Sequence, residues 1–346
     1  MTADVHFLAI AAAVGAEQSL LRGFTSVRDL GGPVFGLKQA IDNGLARGPR
    51  IYPSGAFISQ TGGHGDFRMP YEVPRGSHGH LSHSELLHGA AIADGVPEVL
   101  RAVREQLMLG ASQIKLMSGG GVSSHYDPLD VTQYTEPEIR AAVDAAENWG
   151  TYVTVHAYTP RAVQQALRAG VRCIEHGQLL DDETVAQMAE RDAWWCLQPF
   201  IDDEDATPAE GANRVKQMQM YAGTDNAYEL ALKHGVKVAF GSDVLFSAAL
   251  WRRQTHRLAK LTRWMTPAEA LIMATSRNGE LLAMSGPRNP YPGTIGVVAK
   301  DALADLLLID GNPLQDISLL TTPDSTMPVI VKNGAIVKNT TGSHTA

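Results

Sequence analysis

Four residues in this chain, Lys115, His156, His176 and Asp243, have types and positions suited to holding metal. The first three sit in short apolar runs: Gln113-Ile114-Lys115-Leu116, Tyr152-Val153-Thr154-Val155-His156 and Arg172-Cys173-Ile174-Glu175-His176. Asp243 follows a fourth run, Val236-Lys237-Val238-Ala239-Phe240, through Gly241 and Ser242. Taken singly, each has an ordinary reading. A histidine at a strand end is often a hydrogen-bonded packing residue, a lysine can snorkel out of a strand, and an aspartate can cap the next helix. Taken together at successive strand ends, they form a metal-site inventory. Neutral imidazoles suit zinc, and a carboxylate can bind metal or take a proton from metal-bound water. A buried lysine near cations is driven to lose its proton. Two divalent ions, zinc by this donor set, are the expected cofactors.

The elements that must position these residues are βα units. Three further strand runs are Phe24-Thr25-Ser26-Val27-Arg28, Arg50-Ile51-Tyr52-Pro53 and Trp194-Trp195-Cys196-Leu197-Gln198, making seven, with amphipathic helical stretches between most of them. Thr135-Glu136-Pro137-Glu138 and Thr266-Pro267-Ala268-Glu269 each read as a helix start with an N-cap threonine, an early proline and a capping-box glutamate. Repeated βα units predict a parallel sheet closed as a (β/α)8 TIM-type barrel, whose catalytic groups sit at the carboxyl ends of strands. The doubly wound alternative needs a glycine-rich nucleotide turn after an early strand, and Gly31-Gly32-Pro33 is not one. Helical patterning stops near Met284. Strands are then expected over Gly293 to Ile309 and Val329 to Val337, with turns at Asp310-Gly311-Asn312-Pro313 and Lys332-Asn333-Gly334. The expected domains are a barrel over 1–285, a small β-sandwich-like module over 286–340 and a disordered tail over 341–346.

Composition narrows the function classes. Of 346 residues 44% are hydrophobic and 19% charged, enough apolar material for a sizeable core. The net charge of −8 argues against a nucleic-acid partner, and no run approaches the roughly 18 apolar residues of a membrane span. Cys173 and Cys196 lie in apolar runs and read as buried thiols. The Trp194-Trp195 pair reads as barrel core.

The chain resembles the amidohydrolase superfamily. The resemblance rests on Ile114-Lys115-Leu116, Val155-His156-Ala157, Ile174-Glu175-His176-Gly177 and Gly241-Ser242-Asp243. It extends to Gly23-Phe24-Thr25-Ser26-Val27-Arg28-Asp29, Thr61-Gly62-Gly63-His64-Gly65-Asp66 and Ala304-Asp305-Leu306-Leu307-Leu308-Ile309-Asp310-Gly311-Asn312-Pro313. The branch it is most similar to is the imidazolonepropionase-related one, with Xaa-Pro dipeptidases, N-acyl-amino-acid hydrolases and ochratoxin-hydrolysing enzymes. The resemblance implies that Lys115, as a carbamate, bridges two metals, that His156 and His176 bind the second metal, and that Asp243 binds metal and acts as general base and acid. It also implies an amide hydrolase whose substrate carries a free carboxylate, held by Tyr158 and Arg161. His64, His125 and Tyr126 are further candidates for substrate contact.

The family pattern also has a His-x-His pair at the end of a first barrel strand, ahead of Gly23-Phe24-Thr25. Here Asp4-Val5-His6 is followed by Phe7-Leu8, and residues 4–22 read as a helix. The expectation is therefore a barrel lacking its first strand, an incomplete first metal site, and a chain begun at an internal methionine. His78-Gly79-His80, with His83 and His88 nearby, lies in a long loop and reads as a polar lid. Alternatives are a cyclic-amide hydrolase or deaminase of the same superfamily, or a non-catalytic relative. Lys115 favours the binuclear hydrolase. A homo-oligomer is expected. The location is cytoplasmic as given, with a secreted or periplasmic one the alternative for a chain that has lost a signal.

Overall fold

The computed structural model describes residues 3–69, 71–244 and 247–342, except for the side chains of 77, 78 and 248. The chain opens on a helix, Val5–Leu21, whose N-cap Asp4 accepts hydrogen bonds from the backbone N–H groups of His6 and Phe7. His6 is thus a first-turn helical residue and exposed, not a strand-end ligand.

Nine parallel strands follow: β1 (Ser26–Asp29), β2 (Arg50–Pro53), β3 (Phe57–Ser59), β4 (Ala90–Ile92), β5 (Ile114–Met117), β6 (Val153–Ala157), β7 (Cys173–His176), β8 (Trp194–Leu197) and β9 (Lys237–Phe240). The main sheet has seven strands in the order β4-β3-β5-β6-β7-β8-β9, and β1 pairs with β2. β2 joins the sheet through Ser112 N–H donating to the Pro53 carbonyl at 2.7 Å, and through the Gln113 side chain, which donates to Tyr52 O and Ser54 Oγ. Each of the seven strands expected from sequence is present, in a TIM-barrel-like α/β fold. Among the described residues β9 pairs with β8 alone and β1 with β2 alone, so the circuit is open between them.

β3 and β4 escaped the sequence reading because three-residue strands show too little alternation to register a period. Both capping boxes form. Thr135 N–H donates to Glu138 Oε2 at 2.7 Å, and Thr266 N–H donates to Glu269 Oε2 at 2.8 Å. Side chains alternate along each strand. Ile114, Leu116, Val153, Val155, Ile174, Trp195, Leu197 and Phe240 pack outward against the helices, while Tyr152, Cys173, Trp194, Cys196 and Ala239 fill the barrel interior. Both cysteines are buried free thiols and both tryptophans are core, as expected.

The carboxyl-terminal module is a three-stranded antiparallel sheet, β10 (Leu306–Leu308), β11 (Val329–Lys332) and β12 (Ala335–Asn339). β11 and β12 turn at Asn333-Gly334, both with positive φ, the backbone a tight hairpin requires. The strand expected over Gly293 to Ile309 is corrected to three residues. Gly293, Gly296 and Asp301 take positive φ, which breaks the extended run and leaves only an isolated bridge between Thr294 and Ala302. Of the tail expected over 341–346, residues 343–346 lie outside the description. No helix among the described residues is long and apolar enough to cross a membrane.

Candidate active site

Lys115 on β5, His156 on β6 and His176 on β7 are all buried, and Asp243 follows β9. Lys115 and His176 both feel the Asp243 carboxylate, so the four strand ends converge. Alternation explains His156 directly, since Tyr152, Thr154 and His156 share the inward face. It fails for His176. Cys173 and Glu175 point inward, so the next residue would face the helices. Instead His176 takes a left-handed backbone, φ 76°, which brings its ring centroid to 4.6 Å from that of His156 and 5.2 Å from that of Tyr158. Such a conformation costs a non-glycine residue about 1–2 kcal/mol. The indole N–H of Trp195 offsets part of this by donating to the His176 carbonyl at 2.6 Å. Asp243 is also left-handed, with φ 42°.

Hydrogen bonding selects the tautomers. His156 Nε2 lies 3.0 Å from the Gly120 carbonyl, which can only accept, so Nε2 carries the proton and Nδ1 keeps its lone pair. Gln198 Nε2 donates to Cys196 O, turning Oε1 toward His176 Nδ1 at 2.8 Å; Nδ1 therefore donates and Nε2 keeps its lone pair. Burial pushes both imidazoles below the usual histidine range, so both are neutral. Two neutral rings, each fixed through one nitrogen and free at the other, match the donor chemistry of a divalent ion. Burial likewise lowers Lys115, against the pull of Glu175 and Asp243. Among the described residues no group of three or more His, Cys, Asp or Glu converges tightly enough to hold an ion. The donor chemistry fits a metal, with Lys115 needed beside the histidines and Asp243.

Beneath these residues lies an ion pair that sequence reading passed over. Arg28 Nη2 donates to Glu175 Oε1 at 2.7 Å with both side chains buried, and Arg28 Nη1 donates to Tyr152 Oη at 3.1 Å. Burial alone would raise the Glu175 carboxyl, but Arg28 and Lys115 hold it down to about 2. The available signal was a charged residue at an inward position of a barrel strand, once on half-buried β1 and once on buried β7.

His64 joins the cluster from the loop after β3. Its ring stacks on His156 at 4.0 Å, and its Nδ1 lies 2.8 Å from Ser124 Oγ. Burial, reinforced by His176 and Lys115, pushes it down to about 3. The glycine triplet after β5 makes this possible, because a Cβ on Gly121 would sit 1.9 Å from His64 Nδ1. Gly121→Ala is therefore expected to unstack His64 and destabilise the fold by about 1–3 kcal/mol. A crystal structure and a thermal melt check this, and an intact stack with an unchanged midpoint would contradict it. Tyr158 is buried against His156 and His176, beside an apolar wall that includes Leu129, Met220, Phe200 and Tyr221. Arg161 is exposed in the first turn of the helix Pro160–Arg168, and His125 and Tyr126 are exposed on their loop. Those three are not drawn into the histidine cluster. The loop expected around His78-Gly79-His80 is interrupted by a short helix, Arg75–His78, capped by Gly79; the side chain of His78 lies outside the description. His83 opens a short helix, His83–Leu86, that leads into the amino end of β4, not a strand's carboxyl end.

Comparison with known proteins identifies the family and the fold. The family model described as "Amidohydrolase family" matches residues 1–338. An ochratoxinase from Aspergillus niger is 33% identical over 332 residues, covering 94% of this chain and 67% of the relative. A prolidase crystallised with N-methylphosphonate-L-proline is 38% identical with a TM-score of 0.89, covering 98% of this chain and 81% of that one. A Xaa-Pro dipeptidase with methionine in its active site is 29% identical with a TM-score of 0.82, with the same two coverages, 98% and 81%. With its strand-end lysine, histidines and aspartate on a TIM-barrel-like sheet, the chain belongs to the amidohydrolase family.

Proposed function

We propose that the protein hydrolyses an amide bond in N-acyl-amino-acid or dipeptide-like substrates with a free carboxyl-terminal carboxylate, ochratoxin A among them, in a reaction dependent on divalent metal, zinc by donor type. The carrying observation is the pair of neutral imidazoles, His156 and His176, each with one unprotonated ring nitrogen, beside buried Lys115 and Asp243. Similarity to proteins named ochratoxinase, prolidase and Xaa-Pro dipeptidase supports an amide substrate.

In this reading His156 through Nδ1 and His176 through Nε2 would hold one of two divalent ions, with the Lys115 side chain as its carbamate and Asp243 as further ligands. When bound, the ion supplies Lewis acidity that polarises the scissile carbonyl and acidifies water. Asp243 takes a proton from the attacking water and returns it to the leaving nitrogen. Tyr158 and Arg161 hold the carboxylate, with His64, His125 and Tyr126 as further substrate contacts. The wall of Leu129, Met220, Phe200 and Tyr221 excludes water and suits a hydrophobic or aromatic side chain.

The test is a panel of N-acyl amino acids, dipeptides and cyclic ureides, assayed before and after dialysis against a chelator. Hydrolysis of the first two classes, lost on chelation and restored by zinc, is expected. Turnover of cyclic ureides alone would overturn the assignment. Arg161→Met is expected to weaken carboxylate-bearing substrates by about 2–3 kcal/mol in transition-state binding, and to leave their carboxamide analogues little changed. An equal loss on both would remove Arg161 from substrate recognition.

A further inference from the structure

The deepest cation near the site that the proposed reaction leaves unused is Arg257, which is 3% exposed. Its three hydrogen bonds all go to backbone carbonyls. Nη1 donates to Ser242 O and, at 3.2 Å, to Asp243 O; Nη2 donates to Asp205 O at 2.8 Å. The guanidinium lies over Phe200, 5.3 Å from its centroid, and Phe200 in turn stacks at 6.4 Å on His176. One side chain therefore ties the turn bearing Asp243 to the segment after β8.

Burying a guanidinium is expensive, several kcal/mol per ion, and here every hydrogen-bond acceptor is neutral, the carboxylates of Asp243 and Asp205 acting only through space. A core that needed only filling would hold an apolar residue there. The position also explains a second oddity. Asp243 is a non-glycine residue in the left-handed region, which persists only where its surroundings over-determine it. Arg257 grips the carbonyls on both sides of the Asp243 N–H, so rotation at this residue would break one bond or both. Asp205, the third anchor, is itself held by Arg253 and Lys260.

We infer that Arg257 is a positioning residue, which locks the Ser242–Asp243 turn in its left-handed form and so aims the Asp243 carboxylate at His176 and Lys115. The inference rests on the proposed role of Asp243 for its catalytic consequence, but not for its structural one. The test is Arg257→Met in the full chain, examined by crystallography and by steady-state kinetics. The expected structure has Asp243 at negative φ, with β9 and His176 in place. The expected kinetics have kcat about 10²-fold lower, with KM within about threefold. Asp243 remaining within about 15° of φ 42° would overturn the inference. So would KM and kcat changing in equal proportion. Where the methionine variant does not fold, Arg257→Gln, whose single shorter amide cannot span both carbonyls, gives the same reading of φ. A wild-type chain inactive on every amide of the panel would sink the proposed reaction, while φ at Asp243 would still decide the role of Arg257.

Discussion

Asp243→Asn is expected to lower kcat for amide hydrolysis by about 10²- to 10⁴-fold, the range associated with losing a positioned general acid–base group. Asparagine preserves shape and tolerates left-handed backbone as well as aspartate does, so the turn held by Arg257 should survive. What disappears is the proton acceptor and the negative charge facing Lys115 and His176. The thermal midpoint should therefore hardly move while turnover collapses, a separation that a merely structural aspartate would not produce. Steady-state kinetics beside a thermal melt make the measurement. A variant retaining turnover within about threefold of wild type would exclude Asp243 from proton transfer.

The largest expected loss of stability comes from Arg28→Met. Removing one partner of a buried ion pair leaves the other charge uncompensated and costs about 3–5 kcal/mol. The Arg28 and Glu175 side chains are 7% and 2% exposed, so solvent cannot take over the released carboxylate. By contrast Arg101–Glu105 on a helix surface is half exposed and is worth about 0.3–0.5 kcal/mol. The thermal midpoint of Arg28→Met should fall by roughly 5–15 °C. Adding Glu175→Gln should recover part of that, because the second substitution removes the orphaned charge. A double variant no more stable than Arg28→Met would show that packing, not charge, is what Arg28 supplies. Activity should suffer as well, since without Arg28 the Glu175 carboxylate favours the ammonium form of Lys115, which cannot become a carbamate.

The same pair sets an acid limit. Glu175 is held at about 2 in the folded chain against an ordinary 4.5. A depressed folded value means that the unfolded chain takes up the proton first. Its contribution is therefore complete above about 4.5 and is lost progressively as pH falls toward 2. Urea midpoints measured across that interval should decline more steeply in wild type than in Glu175→Gln.

The amino-acid sequence by itself determined seven of the nine parallel strands, two capping boxes, the buried cysteines and tryptophans, and four strand-end residues whose types suit metal. These are legible because strand alternation, capping and apolar runs are interactions among residues a few positions apart. Tertiary structure alone decided which way His176 points. Period-two alternation turns it outward, and only a left-handed backbone held by Trp195 turns it in. Tertiary structure also decided the imidazole tautomers, through Gly120 and Gln198, and it paired Arg28 with Glu175 across 147 residues of chain. It placed Arg257 on the Asp243 turn and His64 in the space that Gly121 leaves. The division is physical. Residue type and local period say which groups are available, whereas protonation, orientation and charge compensation depend on what lies within a few ångströms, and those neighbours come from distant strands.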